Sequence, residues 1–454
     1  MFKRPSAIIL PLVLSALCLP MVRAADSGAP VKTTLANGLR IIVKPETDTP
    51  LVAIDVFVRA GAPQETASTA GIGSFVAQTL FASTTNNPPE IMTRDINALG
   101  GNVAAAWHSD WTQISALTVK DKYSHAILLL SDTLKNADFD ANVVSDTRTQ
   151  MLNAIDSRDS DLFQIAYGNL QKALYGGTSY ARPDGGTASN ISRLTRADLM
   201  RYYARYYVPK NIVFVVVGNI TPEAAVQEIK DDLDDFPRSD RAAAPFSDPL
   251  PPLSQDLPPL RIFQPDLEQL CVVAGVRAAA ISDPDSSALM VANALLGGMK
   301  SGRLFTQIRE KQSLAYDLGS LYNPRLAAGD IAAYVYAAPT KTDPTTKKEV
   351  PTVGLVKEAI LKQFISLQET PPSPAELARA QHFLVGTYKL KHERIEDRAS
   401  LLGAAELSSR DGYLLDTDYA KYINAVTAAD VQRVARKYFA HPVVSTVEPD
   451  TKSP

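Results

Sequence analysis

The pattern of hydrophobic and polar residues separates strand-like from helix-like segments. Residues 39–43 and 52–58 are β-branched, half-alternating runs, joined by a polar stretch that contains Pro45 and Pro50. Such runs predict two strands, and we expect them to pair as a hairpin. Residues 212–217 form an unbroken apolar run, which predicts a buried strand.

Helical spacing appears between these strands and again later in the chain. Apolar residues recur at helical intervals at Ile72, Phe75, Val76 and Leu80. The later part of the chain repeats the order, with a strand at 270–276, a helix at 286–296 and a last strand at 443–447. Strands mixed with helices, rather than in strict alternation with them, predict an α+β fold whose mostly antiparallel sheets pack against helices.

The chain also shows signs of a duplication. The pairs Thr195 and Thr427, Ala197 and Ala429, Asp198 and Asp430, Arg201 and Arg433, and Tyr206 and Tyr438 are identical at one constant offset. Near the front of each half, the sequence Val-Arg-Ala occurs at 58–60 and at 276–278. A repeat of this length indicates two homologous tandem domains rather than a solenoid.

A proline-rich segment separates the two halves. The prolines are Pro237, Pro245, Pro249, Pro251, Pro252, Pro258 and Pro259. Proline at this density does not fit inside a helix or a central strand, and it is typical of a semi-rigid linker. We therefore predict a first domain at 25–236, a linker at 237–260 and a second domain at 261–454.

The first 24 residues have the pattern of a secretory signal peptide. Lys3 and Arg4 precede an apolar run at 7–19, and Val22-Arg23-Ala24 has the form of a cleavage site. We expect cleavage after Ala24 and a periplasmic or secreted protein. An uncleaved anchor is the alternative, but the run is shorter than the roughly 20 residues that span a bilayer. We expect no stable membrane span elsewhere.

Composition narrows the class of protein further. The 454 residues are 45% hydrophobic and 21% charged, which is typical of a soluble globular protein. A net charge of -3 gives no general attraction to nucleic acid. After removal of the signal peptide, Cys271 is the one remaining cysteine, and its apolar neighbours predict a small buried side chain.

The common catalytic motifs are absent from the sequence. The five histidines are His108, His125, His382, His392 and His441, and no two lie three or four residues apart. The sequence therefore lacks H-E-x-x-H and its inverse, and it has neither a Walker loop nor a G-x-S-x-G motif with triad partners. From the residues alone, the conclusion is a secreted two-domain α+β protein.

One segment resembles a known family. Residues 71–81, GIGSFVAQTLF, resemble the G-x-x-H-F-L-E-H-x-L-F signature of the insulinase/pitrilysin zinc peptidases. Other parts similar to the family are Gly100, Gly101, Asp110 and Thr112, and the segments 172–176, 206–219, 296–305 and 309–316. The resemblance implies two tandem domains of insulinase/pitrilysin-like fold.

The chain departs from the family at the metal site. Ser74, Ala77 and Gln78 occupy the positions of the first histidine, the glutamate base and the second histidine. The third ligand position falls on Ala154, and the asparagine that binds the substrate backbone falls on Ala104. The family pattern needs these positions on one helical face to hold zinc and activate water, so we expect this chain to bind no zinc.

One functional block of the family is kept. Arg309 and Tyr316 match the arginine–tyrosine pair that stabilises the oxyanion in family members. The resemblance implies the zinc-motif-less subunit of a heterodimeric peptidase that degrades unfolded peptides. The zinc and the general base would come from a homologous zinc-bearing partner.

Two other functions remain open. The chain could be a non-catalytic structural or peptide-binding homologue, like the core subunits of respiratory complexes that resemble this family. A stand-alone peptidase is disfavoured, because an open zinc site needs about three protein ligands.

Overall fold

The computed structural model describes residues 28–237, 246, 250, 259–265, 267–343 and 345–450. The predicted signal peptide and most of the predicted linker lie outside these residues, so both stay predictions. In the part of the chain that is described, no helix is long and apolar enough to cross a membrane.

The first half forms a six-stranded sheet in the order β1-β2-β6-β3-β5-β4. Its strands are β1 (Val31–Thr34), β2 (Arg40–Pro45), β3 (Leu51–Val58), β4 (Asn102–Trp107), β5 (Thr112–Val119) and β6 (Ile212–Gly218). Its helices are α1 (Ile72–Thr79), α2 (Pro89–Ala98), α3 (Tyr123–Asn136), α4 (Ala141–Ser160), α5 (Leu162–Tyr175), α6 (Ala188–Arg193), α7 (Arg196–Tyr206) and α8 (Pro222–Leu233). The predicted helix and the predicted buried strand are confirmed as α1 and β6.

The predicted hairpin is wrong. β2 and β3 do not pair with each other, because β6 lies between them, parallel to β2 and antiparallel to β3. Every residue of β6 is buried, so this strand needs a hydrogen-bonded neighbour on each edge. The polar stretch at 46–50 is therefore a crossover that spans the width of one strand.

The second half forms a five-stranded sheet in the order β7-β13-β8-β10-β9. Its strands are β7 (Leu260–Gln264), β8 (Leu270–Arg277), β9 (Asp317–Asn323), β10 (Asp330–Ala337) and β13 (Val443–Pro449), and β11 (Thr340–Thr342) pairs with β12 (Glu349–Pro351) beside it. Its helices are α9 (Ser286–Asn293), α10 (Val353–Glu369), α11 (Pro374–Leu390), α12 (Ile395–Ser408), α13 (Leu415–Ala425) and α14 (Ala428–Tyr438).

The two sheets have the same topology once β1 is set aside. Each contains one parallel pair, β2 with β6 and β7 with β13, and its other pairs are antiparallel. The repeated sequence marks equivalent helices, since Thr195 with Asp198 and Thr427 with Asp430 form the same capping box before α7 and α14. The α+β fold with two homologous, mostly antiparallel sheets is confirmed.

Each sheet is covered on one face by helices of its own half and on the other by a helix of the opposite half. In β3, Val52, Ile54 and Val56 belong to the core of the first half. The alternate residues Ala53 and Phe57 pack with α12, a helix of the second half. In return, α5 of the first half packs against β8 and β13 of the second sheet.

Glycines allow the closest of these contacts. A Cβ atom on Gly403, in α12, would lie 2.0 Å from Cε2 of Phe57, and one on Gly275, in β8, would lie 2.6 Å from Cδ2 of Leu170. These distances are shorter than real carbon contacts, so both positions need glycine for the observed packing. The exchange of helices joins the two halves through a shared core.

Candidate functional site

The helix with the degenerate zinc motif is anchored at its first turn. Gly71, at φ 96, precedes α1, and a Cβ there would lie 2.7 Å from the carbonyl oxygen of Gly185. The carboxyl group of Glu65 accepts hydrogen bonds from the amides of Gly71 and Gly73, both at 2.9 Å. Burial raises the pKa of Glu65 to about 7. Glu65 is not evident from the sequence, because it lies six positions before Gly71 and outside the usual capping spacing.

The structure places the four replaced positions on two packed helices. Ser74 and Gln78 share one face of α1, and Nε2 of Gln78 donates a hydrogen bond to Oγ of Ser74 over 3.1 Å. Ala77 is 3% exposed and packs into the protein. Ala154 is exposed on α4, which packs against α1. The four positions thus lie on two helices that pack together, and none of them carries a zinc ligand of the family.

These residues do not fit a zinc ion. Protein ligands of zinc are cysteine sulfur, histidine nitrogen and carboxylate oxygen. A hydroxyl, an amide and two methyl groups supply none of them, and the hydroxyl and amide bond to each other. Across the described ranges, no group of three or more His, Cys, Asp or Glu side chains could hold a metal ion.

Among the described strands, the one beside this helix has no partner on its outer edge. β4 is the last strand of its sheet, it pairs with β5, and it packs against α1. Ala104, at the position of the family's asparagine, is exposed on this strand. An edge strand presents unpaired amide and carbonyl groups that can bind an extended peptide. The methyl group of Ala104 adds no hydrogen bond to such a contact.

Arg309 lies in a π-helical turn. The turn spans Phe305–Glu310, and the guanidinium carbon lies 5.4 Å from the centroid of the Phe305 ring. π-helical turns are rare and are frequent at functional sites. Ser313 follows with φ 50, and its amide donates to the carbonyl of Arg309 over 3.1 Å.

Tyr316 stands immediately before β9. Its amide donates to the carbonyl of Tyr336 over 2.8 Å, which ties its backbone to β10. Tyr316 is 73% exposed, and Arg309 is exposed as well. Within the described residues, neither side chain forms a hydrogen bond, so both keep their donors for a ligand.

Cys271 is a core residue, as predicted. It is fully buried on β8, and burial raises the pKa of its thiol to about 12. A thiol that stays protonated is a poor nucleophile. Cys271 therefore has no place among the candidate catalytic groups.

Two protein-family models match successive parts of the chain. Residues 40–188 match the model described as insulinase (peptidase family M16), and residues 193–384 match the model described as the peptidase M16 inactive domain. An uncharacterised zinc protease of Mycobacterium leprae is 29% identical over 70% of this chain and 71% of its own length. The beta subunit of the mitochondrial-processing peptidase of Dictyostelium discoideum is 23% identical over 93% of this chain and 89% of its own length.

Solved structures show the same fold. A protease from Helicobacter pylori superposes with a TM-score of 0.84 and 19% identity, covering 93% of this chain and all of that one. A peptidase M16 inactive domain from Pseudomonas fluorescens superposes with a TM-score of 0.81 and 20% identity, covering 94% and 99%. The two family models show that the chain belongs to the insulinase family, peptidase family M16, and that residues 193–384 are of the inactive-domain type.

Proposed function

We propose that this chain is the zinc-motif-less subunit of a secreted heterodimeric metallopeptidase. One observation carries the proposal. The ligand and base positions at Ser74, Ala77, Gln78 and Ala154 are lost together, while Arg309 and Tyr316 remain exposed with their donors unused. A chain that had lost every catalytic function would have no reason to keep this pair.

In this proposal, Arg309 and Tyr316 act on a peptide held by the partner. A guanidinium and a phenol can both donate hydrogen bonds to a carbonyl oxygen as it gains negative charge. Their backbone is fixed by the π-helical turn and by the bond to β10, so little reorganisation is needed when substrate binds. Zinc, the general base and most substrate-backbone contacts belong to the partner subunit.

Two comparisons support a paired assembly. Relatives over most of the chain include beta subunits of mitochondrial-processing peptidases, whose names denote one subunit of an enzyme. Other relatives are named zinc proteases, and a chain of that kind with an intact motif would make a suitable partner. The periplasmic or secreted location rests on the N-terminal sequence pattern.

The proposal is tested by co-expression with zinc-bearing homologues from the same organism, starting with the adjacent reading frame. We expect a stable complex that cleaves a fluorogenic peptide and contains zinc. We expect the chain alone to cleave nothing and to hold no stoichiometric zinc by elemental analysis. About one tightly bound zinc per isolated chain would overturn the proposal.

A second function is favoured by the free edge of β4. A non-catalytic homologue could bind extended peptides along that edge without a partner. A stable monomer that ignores every zinc-bearing homologue but binds unfolded peptides would support this alternative.

A further inference from the structure

Asp110 and Thr112 match the family sequence but have no role in the proposed function. They lie where β4 turns into β5, Asp110 within the turn and Thr112 at the start of β5. Both side chains are buried. Their contacts join this turn to two other parts of the molecule.

The first contact ties the turn to the segment that leads into α1. The hydroxyl of Thr112 donates to the carbonyl of Ala60 over 3.0 Å. Gly61 packs so closely on the turn that a Cβ there would lie 2.5 Å from the carbonyl carbon of Asp110. Glu65, in the same segment, accepts the hydrogen bonds that anchor the first turn of α1. The end of β4 and the start of α1 are therefore held together.

The second contact joins the turn to the second half. Oδ2 of Asp110 accepts a hydrogen bond from the amide of Leu326 over 3.0 Å, and its Oδ1 accepts one from the hydroxyl of Tyr180. Leu326 lies in the loop at 324–329, between β9 and β10, whereas Asp110 and Tyr180 belong to the first half. The carboxylate thus joins the tips of two hairpins, one from each half.

Arg325 adds to the contact between these hairpins. It is 2% exposed, and its Nη1 donates to the carbonyl of Tyr180 over 3.2 Å. Its guanidinium carbon lies 4.7 Å from the ring centroid of Tyr180 and 4.9 Å from that of Tyr175, which allows cation–π attraction to both. The hydroxyl of Tyr175 also donates to the carbonyl of Ala328 over 3.1 Å. The loop at 324–329 is therefore held on the first half from several sides.

The hairpin that Asp110 holds also carries Tyr316. Tyr316 precedes the start of β9, and the held loop follows its end. Seven residues of strand at about 3.3 Å each place the two about 23 Å apart. A tilt of about 5° at the loop would move Tyr316 by about 2 Å, and a misplacement of about 1 Å can lower a rate about 10²-fold.

We propose that Asp110 is a positioning residue, which sets the place of Tyr316 relative to β4 and α1. It holds the loop at 324–329 on the first half, and β9 carries this position to Tyr316 at its other end. An effect on catalysis rests on the proposed function, whereas the geometry can be measured in the chain alone.

The geometry is tested by double electron–electron resonance on the mature chain without a partner. Spin labels on Ala106→Cys and Asp317→Cys report the distance between β4 and β9, because both positions are exposed and the natural Cys271 is buried. We expect one narrow distance when Asp110 is present. Asp110→Asn should shift or broaden it by about 2 Å, because the amide nitrogen cannot accept either hydrogen bond.

Two further variants complete this measurement. Asp55→Asn is the control, since it changes another buried carboxylate that contacts the second half, at Ser400, and it should leave the distance unchanged. Tyr180→Phe removes one hydrogen bond of Asp110 and should give a smaller change if Asp110→Asn folds poorly. An unchanged distance in either folded variant, Asp110→Asn or Tyr180→Phe, would overturn the proposal. So would an equal change in Asp55→Asn.

The effect on catalysis is tested in the reconstituted complex by a double-mutant cycle. Asp110→Asn should lower kcat about tenfold and change KM less, because a misplaced phenol stabilises the transition state less well. In a chain that carries Tyr316→Phe, the same substitution should lower kcat less, since the positioned group is gone. Fully additive effects would overturn the positioning role. If Tyr316→Phe alone leaves kcat unchanged, the proposed function fails, and the label distances decide what Asp110 holds.

Discussion

At the scale of single residues, substitutions of Arg309 and Tyr316 are expected to have the clearest effect on the catalytic rate. In the reconstituted complex, we expect Arg309→Ala or Tyr316→Phe to lower kcat about 10²–10³-fold, the usual effect of removing one oxyanion donor. KM should change less, because the donors act on charge that develops in the transition state. Steady-state hydrolysis of a fluorogenic peptide measures both constants.

Variants of matched chemistry separate catalysis from assembly. Arg309→Lys should not restore the rate, since an ammonium lacks the planar fork of a guanidinium. Arg410→Ala removes another exposed arginine of the second half and should leave kcat unchanged. If complexes with Arg309→Ala and Tyr316→Phe assemble and cleave at the unmutated rate, the pair has no catalytic role and the subunit contributes only to assembly.

Sequence motifs predicted the residues of the candidate site but not the neighbouring residues that hold them in place. Motif register alone placed Ser74, Gln78 and Ala154, and the structure brings them onto two packed helices. Glu65 could not be found in the same way, because its role depends on a loop that folds back onto the start of α1. Local spacing carries information about a helix face, but not about a contact formed by tertiary packing.

At the scale of elements, α12 and α11 provide a matched pair of glycines. Gly403→Ala puts a methyl group within 2.0 Å of the Phe57 ring, and we expect a net loss of about 1–3 kcal/mol from overpacking. Gly386→Ala, on α11, meets nothing within 4 Å and should gain up to about 1 kcal/mol from helix propensity. Urea unfolding of the two variants measures the difference. If both variants were stabilised to the same extent, the close packing of α12 against Phe57 would be contradicted.

Asp55 makes the same interface sensitive to pH. Its Oδ2 accepts hydrogen bonds from Ser400, on α12, at 2.7 Å and from Gln113 at 2.9 Å, yet burial raises its pKa to about 6. Because the folded state then binds more protons than the unfolded state, stability should fall as pH rises from about 4 to about 6. The size of the effect is up to ~3 kcal/mol.

Asp55→Asn should remove this part of the pH dependence. An amide oxygen at the position of Oδ2 can accept both hydrogen bonds, and the buried charge is gone. We expect the variant to match the natural chain near pH 4 and to exceed it above pH 6 in urea unfolding. A variant that keeps the same slope between these values would show that another group is responsible.

Element types were easier to predict than their pairing. The apolar runs gave β2, β3 and β6 because side-chain periodicity is a local property. The predicted hairpin between β2 and β3 was wrong because β6 lies between them in the sheet, although it is more than 150 residues later in the sequence. No pattern around Pro45 and Pro50 could reveal a strand so distant in the chain.

At the scale of the whole molecule, the exchange of helices makes each half depend on the other. α5 brings Tyr167 and Tyr175 to the second half, where their hydroxyls donate to the buried Asp330 over 2.6 and 3.0 Å. α12 brings Glu406 to the first half, where it pairs with Lys32 and Arg40. The duplicated sequence predicted two domains. In the structure, the core of each domain also includes residues of the other domain.

The last prediction follows from this shared core. A chain ending at residue 250 would lack α12 over Ala53 and Phe57, and it would leave the buried Asp55 without Ser400. A chain starting at 251 would lack α5, which would leave Asp330 without both tyrosines. Each fragment thus exposes an apolar sheet face together with a carboxylate that has lost hydrogen-bond donors, a combination that favours aggregation over folding.

We therefore expect the fragments 25–250 and 251–454 to be insoluble or unfolded when expressed separately, and to form a soluble one-to-one complex when co-expressed. The matched control is the full mature chain cut within 237–260 by a protease after folding, which should stay associated in gel filtration because the exchanged helices still hold it. Far-UV circular dichroism and urea unfolding of each product distinguish these states. The prediction is wrong if either fragment alone unfolds cooperatively as a monomer. In that case its own helices suffice for its core, and the exchanged helix only links two domains that fold independently.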